Sequence, residues 1–164
     1  MNSYDIVDEA IIDAPVERVW EALVAELGGA AHWWVPHNTF EPGAVGPERE
    51  GGSTLVTVHT KGVDKGGPKL RFTARTTAVE PGRRLAADYV AGAFRGSSEF
   101  RLTAVDGGAR TRLSMAFQAA PQGWLRLLAK VADIGAEHSR ATRNAFAHLD
   151  ALLAGAGAGA GGAR

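Results

Sequence analysis

The chain has 164 residues, of which 45% are hydrophobic and 22% charged, a composition typical of one globular domain with a sizeable core. Its 18 basic residues balance 18 acidic ones, so no overall positive field favours nucleic acid or an anionic lipid surface as a partner. The absence of cysteine excludes disulfide bonds and thiolate metal sites.

The first residues carry acidic groups where a signal peptide would have a basic patch, and no stretch approaches the ~18 consecutive apolar residues of a membrane span. We therefore expect a cytoplasmic protein that does not insert into a membrane, either a monomer or a homodimer. Arginine outnumbers lysine amid abundant alanine and glycine, which suggests a bacterial source.

The N-terminal part is predicted to contain a strand, an amphipathic helix and an irregular turn. Residues 4–12 favour a strand, which residues 13–15 end. Apolar residues then recur at helical spacing until Gly28 and Gly29, which predicts an amphipathic helix. The segment AAHWWVPHNTF is too short and irregular for a normal helix, so we expect a half-turn or short helix followed by a sheet edge.

Five β-strands are predicted after a glycine- and proline-rich loop at residues 41–52. Clusters of Gly, Pro and Asp separate segments in which apolar and charged side chains alternate, as in antiparallel hairpins. The predicted strands are residues 53–61, 69–79, 84–91, 94–105 and 109–119. One face of the sheet is therefore expected to be apolar and the other charged.

Residues 122–153 are predicted to form one long amphipathic helix. Apolar residues such as Leu127 and Val131 follow the spacing of a single buried stripe, which we expect to cover the sheet. The stripe becomes thin around Gly135 and Ala141, where a tight core would require larger side chains. A cavity beneath this helix is therefore expected, with Gly135 as a place where the helix could bend.

These elements predict an α+β domain spanning residues 1–154, in which the helices cover the apolar face of the sheet. Residues 155–164 are rich in alanine and glycine and have no large side chain to offset their ordering entropy. We expect this tail to be disordered.

Four segments resemble the START-like, or Bet v 1-like, superfamily known as SRPBCC, and in particular its polyketide cyclase/dehydrase and lipid-transport branch. They are AIIDAPVERVWEALV, the WW-containing turn, GARTRLSMAFQAAP and AFAHLDALL. The resemblance implies a helix-grip fold, in which a curved antiparallel sheet wraps around a long C-terminal helix, with a short N-terminal helical pair. It also implies a deep cavity for an apolar or aromatic molecule. Members include cyclases, lipid and quinone carriers and co-chaperone modules, so fold does not choose among these functions.

Three residues are candidates for acid–base chemistry. His138 lies near the apolar stripe and can act as acid or base near neutral pH, although a core-edge histidine satisfied by a hydrogen bond is the alternative. Tyr89 lies on the inner alternation of its strand. Asp88 lies on the opposite alternation and becomes a general-base candidate only if a β-bulge turns it inward.

Side chains on the inner faces are candidates for ligand binding. The adjacent Trp33 and Trp34 must point in different directions, so at most one is expected in the cavity, and filling a gap between the first helix and the sheet is the alternative role. Thr111 could orient a ligand or bond to neighbouring backbone. The predicted ligand-binding set is Trp33, Trp34, His37, Phe72, Tyr89, Ser98, Phe100, Met115, Ile134 and His138. The histidine spacing matches no metal motif, so no metal or other cofactor is expected.

The leading hypothesis is a protein that binds a small hydrophobic molecule, aromatic, polyketide-like or lipid, between the sheet and the last helix. As an enzyme it would be a polyketide cyclase or dehydrase that holds a flexible chain in a folded conformation. The alternatives are a non-catalytic carrier or sensor and a co-chaperone-like interaction module.

Overall fold

The computed structural model describes residues 3–162, with side chains described as far as Gly155. Its strands are β1 (Tyr4–Ile12), β2 (Asn38–Pro42), β3 (Ser53–His59), β4 (Lys69–Glu80), β5 (Arg84–Gly92), β6 (Phe94–Val105) and β7 (Arg110–Pro121). Its helices are α1 (Val16–Leu27), α2 (Leu125–Leu128) and α3 (Ile134–Gly162), and a short 3-10 turn at Asp106–Gly108 joins β6 to β7.

The seven strands form one antiparallel sheet in the order β1-β7-β6-β5-β4-β3-β2. Strands β2 to β7 follow one another as hairpins, while the first strand pairs with the last, Ile6 lying opposite Phe117. The α+β class is confirmed, and the curved sheet with its long C-terminal helix is the predicted helix-grip fold. Side-chain alternation sets which residues face α3, because successive residues of a strand point to opposite faces.

The hydrophobic core lies between the inner face of the sheet and the two longer helices. Val19 and Leu23 of α1 and Phe146 and Leu149 of α3 are completely buried, as is Leu113 of β7. Burying each such side chain contributes about 1.5–3 kcal/mol relative to leaving it in water. This core holds one part of α3 firmly against the sheet.

The prediction of a single helix over residues 122–153 is wrong at its start. Gly123 adopts a left-handed φ of 60°, and the chain then makes the one-turn helix α2 before α3 begins at Ile134. Leu127 and Val131, assigned to the buried stripe, are 67% and 84% exposed. Asp133 ends the irregular segment because its Oδ1 accepts the N–H of Ala136 at 2.9 Å and so caps α3.

Gly135 therefore lies in the first turn of α3 and not at a bend in the middle of a helix. A Cβ at this position would lie 3.1 Å from the ring of Tyr4 and 3.2 Å from the end of Ile6. The missing side chain allows α3 to approach β1 closely, which is a packing role.

The predicted N-terminal helical pair is represented among the described residues by α1 alone. The segment after α1 forms turns that lead into the edge strand β2, which occupies the start of the predicted loop at residues 41–52. A side chain of α1, described below, binds backbone N–H groups of this segment, and those groups are consequently not available for a second helix.

Helix α3 extends to Gly162, beyond the domain boundary predicted at residue 154. Side chains after Gly155 lie outside the described residues, so the division into a domain and a tail stays a prediction. None of the described helices is long and apolar enough to cross a membrane.

Candidate functional site

A cavity of about 580 Å³ lies between the inner face of the sheet and the N-terminal half of α3. Its walls are mainly apolar, with Val56, Phe72, Leu85, Phe94 and Met115 contributed by successive strands. Every member of the predicted ligand-binding set except Trp33 lines it, namely Trp34, His37, Phe72, Tyr89, Ser98, Phe100, Met115, Ile134 and His138. Their position is thus established, while their contact with a ligand stays a prediction.

The two adjacent tryptophans have different roles. Trp33 is buried outside the cavity lining, and its Nε1–H donates to the carbonyl oxygen of Ala22 in α1 at 3.2 Å. Trp33 thus fills the gap beside the first helix. Trp34 lines the cavity, and its ring makes edge contacts with Phe40, Phe100 and Phe146 at centroid distances of 5.6, 5.9 and 6.1 Å.

A buried carboxylate that the sequence reasoning missed holds this tryptophan turn in place. Glu26 is completely buried, its Oε1 accepts the backbone N–H of His32 at 2.8 Å, and its Oε2 accepts those of Trp33 and Trp34 at 3.2 and 2.7 Å. A signal was present in the sequence, because Glu26 lies on the same helix stripe as Leu23 and Leu27.

Three buried polar atoms have no hydrogen-bond partner within the described residues: Asp8 Oδ2, Trp34 Nε1 and His59 Nδ1. Trp34 and His59 belong to the cavity lining, whereas Asp8 does not. Leaving a buried donor or acceptor unpaired costs about 1–3 kcal/mol, so each such atom invites a structural or functional explanation.

His138 lies in the lining with its imidazole stacked on Phe117, the ring centroids 3.9 Å apart and the planes 23° from parallel. Burial lowers the pKa of His138 to about 4, and the nearby Asp8 carboxylate only partly opposes this shift. The imidazole is therefore neutral at pH 7. Asp8 was not among the predicted residues, although its place on the inner alternation of β1 was readable from the sequence.

Tyr89 and Ser98 are two polar residues of the inner wall. Burial raises the pKa of Tyr89 far above its ordinary value, and the neighbouring Ser98 hydroxyl opposes this only in part. Tyr89 is therefore a hydrogen-bonding phenol and not a base. Thr111 donates to the carbonyl oxygen of Ala14 at 2.7 Å and lies outside the lining, so the backbone-bonding alternative holds for it.

Asp88 is not placed for chemistry in the cavity. Its strand does show register irregularities against β4, but Asp88 remains on the outer face, exposed and paired in register with Arg75. The bulge that would have turned it inward does not occur at this position. Among the proposed acid–base residues, His138 and Tyr89 are brought together around the cavity and Asp88 is not.

The exposed part of the lining carries charged and polar groups, including Lys61, Glu137 and Arg140. Burial, followed by the charges of Arg140 and His148, lowers the pKa of His37, while Glu137 opposes the shift. His37 is thus a neutral group at neutral pH. Within the described residues, no group of three or more His, Asp or Glu side chains is arranged to hold a metal ion, and the expected absence of cofactors stays a prediction.

Comparison with known proteins identifies the family. Residues 4–150 match the family described as polyketide cyclase/dehydrase and lipid transport. The chain belongs to this family. No curated protein matches the chain significantly.

Several solved structures resemble the chain over nearly its whole length. The Zhui aromatase/cyclase from Streptomyces sp. R1128 is 23% identical, with a TM-score of 0.59 and coverage of 94% of each chain. Protein Ms6760 from Mycobacterium smegmatis is 19% identical, with a TM-score of 0.64 over 95% of this chain and 98% of the other. Ara h 8.0201 is 15% identical, with a TM-score of 0.63 over 94% and 99%. At these identities the likeness concerns the fold.

Proposed function

We propose that the protein binds a small hydrophobic molecule, aromatic or polyketide-like, in the cavity between the sheet and α3. The observation that supports this most is the cavity itself, because about 580 Å³ of space with mainly apolar walls is typical of small-molecule sites. A cavity of this size forgoes contacts that a close-packed core would make, and a bound apolar molecule would restore such contacts.

The lining favours a ligand with planar groups over a saturated acyl chain. Phe72 makes edge contacts with both Tyr89 and Phe94, at centroid distances of 4.8 and 5.3 Å, and Phe94 does the same with Phe117 at 5.4 Å. These rings form a stiff wall against which another ring can stack or meet edge to face.

A second, catalytic function is favoured by the positions of His138 and Tyr89, which both line the cavity. A ring nitrogen of His138 would take a proton from a carbon next to a ligand carbonyl, while the un-ionised Tyr89 hydroxyl donates a hydrogen bond to the carbonyl oxygen. Holding a poly-β-ketone folded in the cavity would contribute the remaining acceleration through orientation. This is cyclase or dehydrase chemistry, in keeping with the family's description.

The binding proposal is tested with fluorene, a rigid aromatic hydrocarbon, titrated into the wild type and two variants with tryptophan fluorescence as the readout. Ala87→Phe places a ring in the cavity lining, and Ala91→Phe places the same ring on the exposed face of the same strand. We expect fluorene to bind the wild type and Ala91→Phe alike and Ala87→Phe at least tenfold more weakly. Equal binding to both variants, or none to the wild type, would refute cavity binding.

Catalysis is tested separately by incubating a poly-β-ketone with wild type, His138→Gln and Tyr89→Phe. We expect each substitution to reduce turnover by about 10²-fold or more, the usual contribution of an acid–base group. Wild-type turnover no faster than buffer would leave a carrier or sensor as the function, with the binding proposal intact.

A further inference from the structure

Asp8 is a buried carboxylate with an unpaired oxygen. It lies on the inner alternation of β1, opposite Met115 of β7, and is 7% exposed. Its Oδ2 has no hydrogen-bond partner in the part of the chain that the structure describes. Glu26, the other buried carboxylate of the described residues, is fully engaged by the tryptophan turn. Burying a carboxylate is costly unless an opposite charge or a hydrogen bond offsets the cost.

Two contacts fix the position of α3 along β1. A Cβ on Gly135 would lie 3.1 and 3.2 Å from the first two inward side chains of β1. Further along the helix, Asp150 Oδ1 accepts the backbone N–H of Asp13, just beyond the end of β1, at 2.7 Å. The helix and the strand therefore run in the same direction. One helical turn advances about 5.4 Å and one inward strand residue about 6.6 Å, so the turn after Gly135, which carries His138, lies over the middle of β1, where Asp8 is placed.

The packing of the imidazole agrees with this alignment. The ring of His138 stacks on Phe117 of β7, with the ring centroids 3.9 Å apart. Phe117 pairs in register with Ile6, and Asp8 is the next inward residue of β1 after Ile6. The imidazole and the carboxylate therefore lie close together between α3 and the sheet. Asp8 does not line the cavity, so its effect on a ligand passes through His138.

The charge of Asp8 opposes the effect of burial on His138. Burial lowers the pKa of His138 because it disfavours the imidazolium, and the charge of Asp8 acts in the opposite direction. Other ionisable groups on the packed elements are less well placed. Glu137 and Arg140 of α3 pair with each other and are more than half exposed, and the raised pKa of Tyr4 in β1 keeps its phenol neutral.

We propose that Asp8 is a positioning residue for proton transfer, and that its carboxylate stabilises the imidazolium formed when His138 takes a proton from a carbon next to a ligand carbonyl. This inference rests on the proposed catalytic function and adds a residue to it. The electrons of the broken carbon–hydrogen bond pass into the carbonyl group and form an enolate, while the proton stays on His138 until it is returned. The step needs no other reactant.

The first test follows the ring signals of His138 by NMR in the ligand-free protein between pH 7.5 and pH 5. With a pKa of about 4, about a tenth of wild-type His138 is protonated at pH 5. Loss of a nearby opposite charge lowers the pKa of a histidine by about 1 or more, so we expect the protonated fraction in Asp8→Asn to be about tenfold smaller. The control is Glu9→Gln, which removes the same charge from the exposed face of β1 and should leave the fraction unchanged.

The second test measures proton transfer with 2-tetralone, an aromatic ketone whose hydrogens next to the carbonyl exchange with deuterium of the solvent when an enolate forms. We expect exchange at saturating ketone to be about 3- to 10-fold slower in Asp8→Asn, with KM unchanged because Asp8 lies outside the lining. Glu9→Gln should exchange like the wild type. Asp8→Ser, a smaller residue without the charge, is measured beside Asp8→Asn so that a poor fit of the amide does not decide the result.

A protonated fraction in Asp8→Asn equal to that of the wild type, or a smaller fraction with undiminished exchange, would overturn the inference while leaving the catalytic proposal standing. Failure of both Asp8 variants to fold would assign Asp8 a structural role and overturn it as well. Wild-type exchange no faster than in buffer would overturn the catalytic proposal and the inference with it, with fluorene binding unaffected.

Discussion

Replacing Glu26 should destabilise the fold more than any other single carboxylate substitution in α1. Glu26→Ala leaves the backbone N–H groups of His32, Trp33 and Trp34 without their acceptor in a site where the side chain is completely buried. Hydrogen bonds to a charged group contribute about 1.5–3 kcal/mol each. Allowing for water to reach the partly exposed His32 N–H, we expect a loss of about 3–5 kcal/mol.

A graded pair of substitutions tests the origin of this loss. Glu26→Gln keeps one carbonyl oxygen, which can still accept from Trp33 and Trp34, but its amide group faces the His32 N–H. We expect this variant to lose about 1–2 kcal/mol, clearly less than the alanine variant. The matched control is Glu21→Ala on the exposed side of the same helix, which should change stability by less than about 0.5 kcal/mol.

The assay is urea unfolding followed by tryptophan fluorescence and far-UV circular dichroism, with the free energy of unfolding extrapolated to water. A Glu26→Ala loss below about 1 kcal/mol, or a loss equal to that of Glu21→Ala, would refute the role assigned to the carboxylate.

The remaining predictions concern three buried contacts. Because the pKa of His138 is about 4 when folded and near the ordinary 6.5 when unfolded, the unfolded chain binds more protons between these values, and stability should fall as pH falls through them. At pH 5 the loss is about 2 kcal/mol relative to pH 7.5, and an undiminished loss in His138→Gln, measured by urea unfolding, would contradict the assignment. Thr111→Val should cost about 1–2 kcal/mol because the Ala14 carbonyl loses its donor, and an unchanged melting temperature would exclude this bond as stabilising. Gly135→Leu should cost about 1–3 kcal/mol through overpacking against β1, while Ala136→Leu on the exposed side should be nearly neutral; equal melting temperatures would contradict the close approach.

The two faces of the sheet could be predicted from the sequence because successive side chains of a strand point to opposite faces. In β7 the alternation of Leu113, Met115 and Phe117 with polar residues identified the inner face, and the observed burial agrees. The start of the last helix could not be predicted in this way. Leu127 and Val131 follow the helical spacing, yet Leu127 lies in α2 and Val131 lies in the irregular segment at residues 129–133 that separates α2 from α3. Periodicity shows which residues would share one face of a helix, but it does not show where the helix is interrupted.

For the candidate site, the sequence predicted which residues lie on the inner face of the sheet. The inner-face assignment placed Phe72, Tyr89 and Ser98 in the lining correctly. It could not decide between Trp33 and Trp34, because that choice depends on where Glu26 binds the turn, a contact between a helix and an irregular segment. Hydrogen bonds of this kind, between a side chain and the backbone of another segment, leave no periodic pattern in the sequence.

The claim that an aromatic molecule occupies the cavity under α3 is tested most directly by intermolecular NOEs between bound fluorene and the protein. We expect contacts to the methyl groups of Ala87 in β5 and Met115 in β7, two strands of the inner wall with β6 between them. The competing apolar surface is the exposed segment around α2, where Leu127 and Val131 face solvent. NOEs to Leu127 and Val131, with none to Ala87 or Met115, would place the ligand outside the cavity and contradict the proposed function.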